Sequence, residues 1–159
     1  MIPDLIIQPN SPWKILPPGI HVASLSDVEA TFAYNTKRRQ LYLGLMDASH
    51  SLYSAGCKTV YIDGSFVTGK PIPGDFDACW DPTGVDVNKL DPVFLDFADG
   101  RRNQKLKFMG ELFPFNAYAE PGRIFLDFFQ VEKHSGGKKG VVAIDLTKES
   151  FNSIKGGVL

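Results

Sequence analysis

Two aspartates one residue apart, Asp75 and Asp77, open the apolar stretch that ends at Trp80. A Gly-Ser pair, Gly64-Ser65, stands upstream with nine residues between it and Asp75, after the apolar stretch Thr59 to Ile62. If the later stretch is a strand, residues two apart share a face, so Asp75 and Asp77 project together while Phe76 turns into the core. Two neighbouring carboxylates repel, and burying them unpaired is costly. A divalent cation relieves that cost. Mg²⁺, or Mn²⁺ in its place, suits oxygen ligands: one or two carboxylates, with a substrate's phosphates completing the shell. Asp127 is the expected third carboxylate. It interrupts Ile124-Phe125-Leu126-Asp127-Phe128-Phe129, a run that reads as a buried strand in which a charge needs a partner. Were that strand to lie beside Asp75–Trp80, Asp127 would join the cluster and help activate an attacking hydroxyl in a two-metal reaction. Asp96 and Asp145 also sit in apolar stretches and are rivals for that role.

The elements that must position these groups follow from pattern. Residues 1–20 carry five prolines and read as an extended arm whose apolar residues pack against something; residues 21–159 read as one domain. Ser26-Asp27-Val28-Glu29 fits a capping box and predicts a helix to about Tyr34. Thr36 caps a longer helix ending at Gly56, with Leu41, Leu45, Leu52 and Tyr53 near helical spacing. Thr59–Ile62, Phe76–Trp80, Ile124–Gln130 and Val141–Leu146 read as strands. Gly64–Gly74, Asp81–Gly84 and Pro114–Gly122 read as loops or turns, and His134–Gly140 as a hairpin-like turn. Arg101–Met109 reads as a basic helix, Leu90–Phe97 is ambiguous, and a short helix or tail follows Leu146. This mixture predicts an α+β domain with a mixed or antiparallel sheet flanked by helices.

Gly-Ser, nine residues, Asp-x-Asp and a later lone Asp resemble the signature of the polymerase-beta-like nucleotidyltransferases. Leu16-Pro-Pro-Gly-Ile-His21, Gly64-Ser-Phe-Val-Thr-Gly-Lys70, Pro73-Gly-Asp-Phe-Asp77, Trp80-Asp81, Asp91-Pro-Val-Phe-Leu-Asp-Phe97, Gln104-Lys105 and Gly110-Glu-Leu-Phe-Pro114 are similar to a small uncharacterised prokaryotic branch of that superfamily. The resemblance implies that Gly64 and Ser65 hold β- and γ-phosphates through backbone N–H groups and the Ser65 hydroxyl. It also implies that Asp75, Asp77 and Asp127 bind metal.

Other residues have competing readings. Lys70 and Arg123 are either triphosphate contacts or exposed cations. Arg101, Arg102, Lys105 and Lys107 make a basic stretch, read as a solvated helix face with nucleic-acid contact as the alternative. Lys37, Arg38 and Arg39 are read as a solvated face too, as are Lys133, Lys138 and Lys139. Asp63 reads as a loop or capping residue. His50 reads as a partly buried helix residue, and His21, His50 and His134 lack zinc spacing. Cys57 and Cys79 read as buried free thiols.

Seventeen basic residues against eighteen acidic ones argue against binding bulk DNA through net charge. Thirteen of the acids are Asp, which leans towards turns and ligation. No apolar run has the length of a membrane span, and the first ten residues lack a secretory signal's basic start and apolar stretch, so a cytoplasmic protein is expected. Two function classes result. One is an enzyme moving a nucleoside monophosphate from an NTP to a hydroxyl on a protein, an RNA end or a small molecule. The other is a non-catalytic relative that binds a nucleotide or partner, as in a toxin–antitoxin or defence pair. A two-metal nuclease shares the carboxylates but leaves Gly64-Ser65 without a role.

Overall fold

The computed structural model describes residues 1–151. Seven strands and four helices follow one another as β1 (Gly19–Ala23), α1 (Leu25–Phe32), α2 (Thr36–Ser54), β2 (Thr59–Asp63), β3 (Phe76–Trp80), α3 (Ala98–Phe108), β4 (Gly110–Pro114), β5 (Tyr118–Glu120), β6 (Arg123–Ile124), α4 (Phe125–Phe128) and β7 (Gly140–Asp145). Five strands form one mixed sheet in the order β1-β7-β2-β3-β4; β5 and β6 make a separate hairpin. β7 pairs parallel to β1 and antiparallel to β2, and β3 pairs antiparallel to β2 and parallel to β4. The fold is α+β, as the mixture of patterns predicts.

Alternation explains how the sheet is used. Val60 and Ile62, Phe76, Ala78 and Trp80, Leu112, and Val142 and Ile144 are all buried in one core with Val28, Phe32, Leu41, Leu45, Leu52 and Phe108 of α1, α2 and α3. α2 and α3 approach so closely that a Cβ on Gly44 would lie 1.8 Å from the Phe108 carbonyl oxygen. The intervening residues point the other way. There Cys79, Val141 and Phe129 form a smaller cluster with Tyr61, Phe113, Phe115 and Phe125. One sheet face is therefore closed by helices, and the other is covered only in part, by aromatic residues of 113–129.

Several local expectations shift. The capping box is Ser24 with Asp27, each bonding the other's backbone N–H, so the cap of α1 lies two residues before the expected Ser26. Asn35, not Thr36, caps α2 through the Arg38 N–H. The 1–20 arm ends inside β1, and docks on its own chain: Ile15 and Leu16 are buried, Ile6 and Ile15 exchange backbone hydrogen bonds, and Gly69 N–H donates to the Lys14 carbonyl. After β7 a tight turn spans Leu146–Lys148. The remainder of the tail expected there, residues 152–159, lies outside the described residues. Among the described residues no helix is long and apolar enough to cross a membrane.

Candidate functional site

The registers of three adjacent strands place Asp63 beside Asp77 and Asp77 beside Glu111. These acids form one row across β2, β3 and β4, at strand spacings of about 4.8 Å. The next row on that face is Tyr61, Cys79 and Phe113. Asp75 lies one residue before β3 begins, and it lines the same cavity as Asp63, Asp77 and Glu111. The cavity measures about 650 Å³, a size that suits a small-molecule ligand. Asp75 and Asp77 thus share a site, with Phe76 fully buried on the opposite face.

Like charges placed opposite one another across strands destabilise a sheet, so this row needs compensation. Asp63 is buried and faces the Lys139 ammonium at 3.2 Å. Burial pushes its carboxyl up to about 6 even so, with Lys139 opposing the rise. Glu111 accepts from the Arg101 guanidinium at 2.7 and 3.0 Å and faces Lys105 at 3.2 Å. Burial acts to raise it, but its hydrogen bonds to Asp77, Arg101 and Lys105 prevail and hold it below the usual carboxylate range. Asp77, between them, has no ion pair among the described residues. Burial first, then the hydrogen bond with Glu111 and the charges of Asp75, Glu111 and Asp63, hold its carboxyl well above the ordinary value. Asp75 is raised as well, by burial and by Glu111, against Lys105, Lys37 and Lys70. The centre of the row therefore keeps a proton on Asp77, because no counter-charge among the described residues faces it, and a cation with oxygen ligands is the kind of group that would take that proton's place. Among the described residues no three His, Cys, Asp or Glu side chains already converge as a metal cage; ligand oxygens would have to complete the shell.

Gly64 follows Asp63 and turns the chain with φ 77°. A Cβ there would lie 2.2 Å from Asp77 Oδ2, so only glycine lets the backbone pass against that carboxylate. Ser65 and Lys70 line the cavity. Lys70 Nζ sits 5.2 Å from the centre of the Trp13 ring, which brings the N-terminal arm to the rim. The loop between β2 and β3 is held from below by Arg38. This residue is fully buried, contrary to the solvated face expected for it, and it donates to the carbonyls of Phe32, Phe66, Thr68 and Lys70.

The Asp127 assignment does not match the geometry. Its segment forms not a strand but the end of β6 and the short α4, and β3 is flanked by β2 and β4 instead. Asp127 is exposed and lines a separate small cavity with Pro18, Gly19, Gln130, Val131, Lys138 and Lys139. A continuous apolar run does not distinguish a strand from a helical turn, and here the apolar residues are Phe rings packing over the sheet. Asp96 and Asp145 are also local: Asp96 accepts from Ala98 N–H and Asn103, Asp145 from Thr147. The residue missed is Glu111. Its signal was the alternation Gly110-Glu-Leu, obscured by Pro114, which ends the strand. Lys139 was missed as well, lost among the turn lysines, and Asp63 is a cavity wall rather than a cap. Arg101 and Arg123 line the cavity; Lys107 pairs with Asp91 outside it. Arg101 belongs to a run of three residues with positive φ, Asp99, Gly100 and Arg101 at 51°, 66° and 62°. Non-glycine residues in that region cost about 1–2 kcal/mol each, and this strain accompanies the aim of Arg101 at Glu111.

No curated protein and no solved structure matches the chain. A family model does match, over residues 9–145, a span that includes every cavity acid named above. The chain belongs to that family, the family of unknown function DUF6932.

Proposed function

We propose that the protein is a metal-dependent nucleotidyltransferase related to the polymerase-beta-like superfamily, moving a nucleoside monophosphate from an NTP to a hydroxyl acceptor. The observation that carries this reading is the row Asp63–Asp77–Glu111 in register across three strands, with Asp75 alongside and Gly64 pressed against Asp77. In this reading Glu111 takes the place expected for Asp127.

Asp75 and Asp77 would hold Mg²⁺ or Mn²⁺, giving up the protons that their raised carboxyls favour as the cation binds. When bound, the cation neutralises the triphosphate and makes its α-phosphorus more electrophilic. Gly64 and Ser65 bind the β- and γ-phosphate oxygens, and Lys70, Arg101 and Lys139 offset the remaining charge of the cavity. The Glu111 carboxylate, kept ionised by Arg101 and Lys105, receives the proton of the acceptor hydroxyl. The acceptor oxygen then forms a bond to the α-phosphorus as the bond from that phosphorus to the α,β-bridging oxygen breaks. Pyrophosphate leaves with the electron pair.

The test is incubation with each of the four α-labelled NTPs, Mg²⁺ and cell lysate. Label transferred to a protein, RNA or small molecule, lost in Asp77→Asn, is the expected result. One observation favours a non-catalytic binder instead: Glu111 is already engaged by two cations. NTP binding without transfer to any acceptor would establish that reading, and cleavage of added nucleic acid would establish a nuclease.

A further inference from the structure

Acids do not make up the whole lining of the cavity. Aromatic rings line it too. Glu111 and Phe113 are two residues apart on β4 and face the same way, about 7 Å apart along the strand. Phe113 stacks on Phe125 with ring centroids 4.0 Å apart and planes 7° from parallel, and Phe97 covers Phe113 at 5.8 Å and 12°. Phe128 rests against Phe125 and Phe129, at 6.4 and 6.0 Å, and lines the cavity while remaining 39% exposed.

This aromatic segment is tied to the chain after β4 by backbone hydrogen bonds. Phe125 N–H donates to the Ala117 carbonyl and Leu126 N–H to the Phe115 carbonyl, pinning α4 to the segment after β4. Phe128 therefore packs on two other rings and is exposed where it lines the cavity. An exposed aromatic ring suits a planar, π-rich ligand group, which it binds by offset stacking. The acids, Gly64-Ser65 and Lys139 line the same cavity, so one molecule with a planar group and a polyanionic end fits both kinds of lining. Arg123 also lines the cavity and supplies donors that fit ring carbonyl and ring nitrogen acceptors.

We propose that Phe128, backed by Phe125 and Phe129, forms the subsite for the nucleobase of the nucleoside triphosphate; this rests on the function proposed above. The base stacks on Phe128, the ribose spans the stretch beside Phe113, and the triphosphate reaches the acid row. Stacking tolerates every base, so the subsite adds affinity for all four nucleotides, most for the larger purines.

Calorimetric titration of the full chain in millimolar Mg²⁺ separates the two ideas. Inorganic tripolyphosphate probes the charged lining alone; ATP, GTP, CTP and UTP probe both linings. The expected result is that tripolyphosphate binds and the purine nucleotides bind about five- to a hundredfold tighter, the range of one base–aromatic stack. Phe128→Ala and Phe128→Leu should each reduce nucleotide affinity to that of tripolyphosphate, while Phe128→Trp retains the advantage. The leucine variant fills the volume without a ring, so its loss reads stacking rather than packing. Tripolyphosphate binding as tightly as every nucleotide overturns the subsite but leaves the role of the charged lining intact. An advantage that survives Phe128→Leu also overturns it. Failure of tripolyphosphate and of all four nucleotides to bind overturns the proposed function and the subsite together.

Discussion

The Arg38 guanidinium in α2 donates to the backbone carbonyl of Lys70, midway along the loop that carries Gly64 and Ser65. Its other bonds go to Phe32, Phe66 and Thr68, so one side chain closes the underside of that loop with no carboxylate partner among them. Arg38→Lys keeps the charge but removes the fork that reaches several carbonyls at once. It should lower unfolding free energy by about 3 kcal/mol, since hydrogen bonds from a charged donor are lost and buried carbonyls are left unpaired. Urea unfolding checks this, with the midpoint lowered and the slope unchanged. A shift below about 0.5 kcal/mol would mean that the loop holds itself.

Glu111 and Asp127 should separate in one assay. Glu111→Gln keeps the shape of the side chain and removes the negative charge; transfer should fall by about a hundredfold or more, as when one electrostatic stabiliser is removed from a transition state. Asp127→Asn, on an exposed helical turn, should leave transfer within about twofold and stability within about 0.5 kcal/mol. Single-turnover rates with labelled NTP make the comparison. Collapse of transfer in Asp127→Asn alone would return the third-carboxylate role to that residue.

Asp63 gives the apo protein a pH dependence of definite sign. Its carboxyl is raised from 3.8 to about 6, so the native state binds the proton more tightly than the unfolded chain. That stability is fully present below pH 3.8 and is lost as pH rises through about 6. The difference between wild type and Asp63→Asn should therefore change between these limits and flatten above them. Thermal melts from pH 4 to 8 in EDTA provide the curve. Saturating Mg²⁺ with an NTP should restore stability at the alkaline end, because a ligand that binds only the native state stabilises it. A pH-independent difference would show that Asp63 has an ordinary carboxyl.

Cys57 and Cys79 are buried free thiols, and burial pushes Cys57 up to about 11 and Cys79 higher than its ordinary value. The thiolate is the reactive species, so neither should react with a thiol-specific chromogenic reagent at pH 8 in the native protein. Both should titrate in denaturant. Rapid labelling of the folded chain would reveal an opening of the sheet near β3.

Asp75, Phe76 and Asp77 were legible because a two-residue period assigns faces without any knowledge of neighbours. Gly64 was legible from its place after an apolar strand, although its contact with Asp77 was not. Glu111 was hidden because which strand lies beside β3 is settled by pairing, not by local pattern. Asp127 misled for the converse reason: an apolar run indicates burial but not the element that is buried. Arg38 looked like its neighbours Lys37 and Arg39, and only the three-dimensional course of the loop above it distinguishes the three. β1 was concealed by the prolines of the arm, since its partner β7 lies more than a hundred residues on.

That distant pairing has a kinetic consequence. β7 lies between β1 and β2 in the sheet, yet it follows β2, β3 and β4 in the chain. On a ribosome, the row Asp63–Asp77–Glu111 can pair up before Gly140 has been added, but β1 has nothing to pair with until then. Lys139, the counter-charge of Asp63, emerges immediately ahead of that strand. A nascent chain thus carries assembled acids with the open edge of β2 beside them, a state prone to pairing with other chains. Non-local strand closure is slow, so β7 insertion is the step at which synthesis rate and aggregation compete.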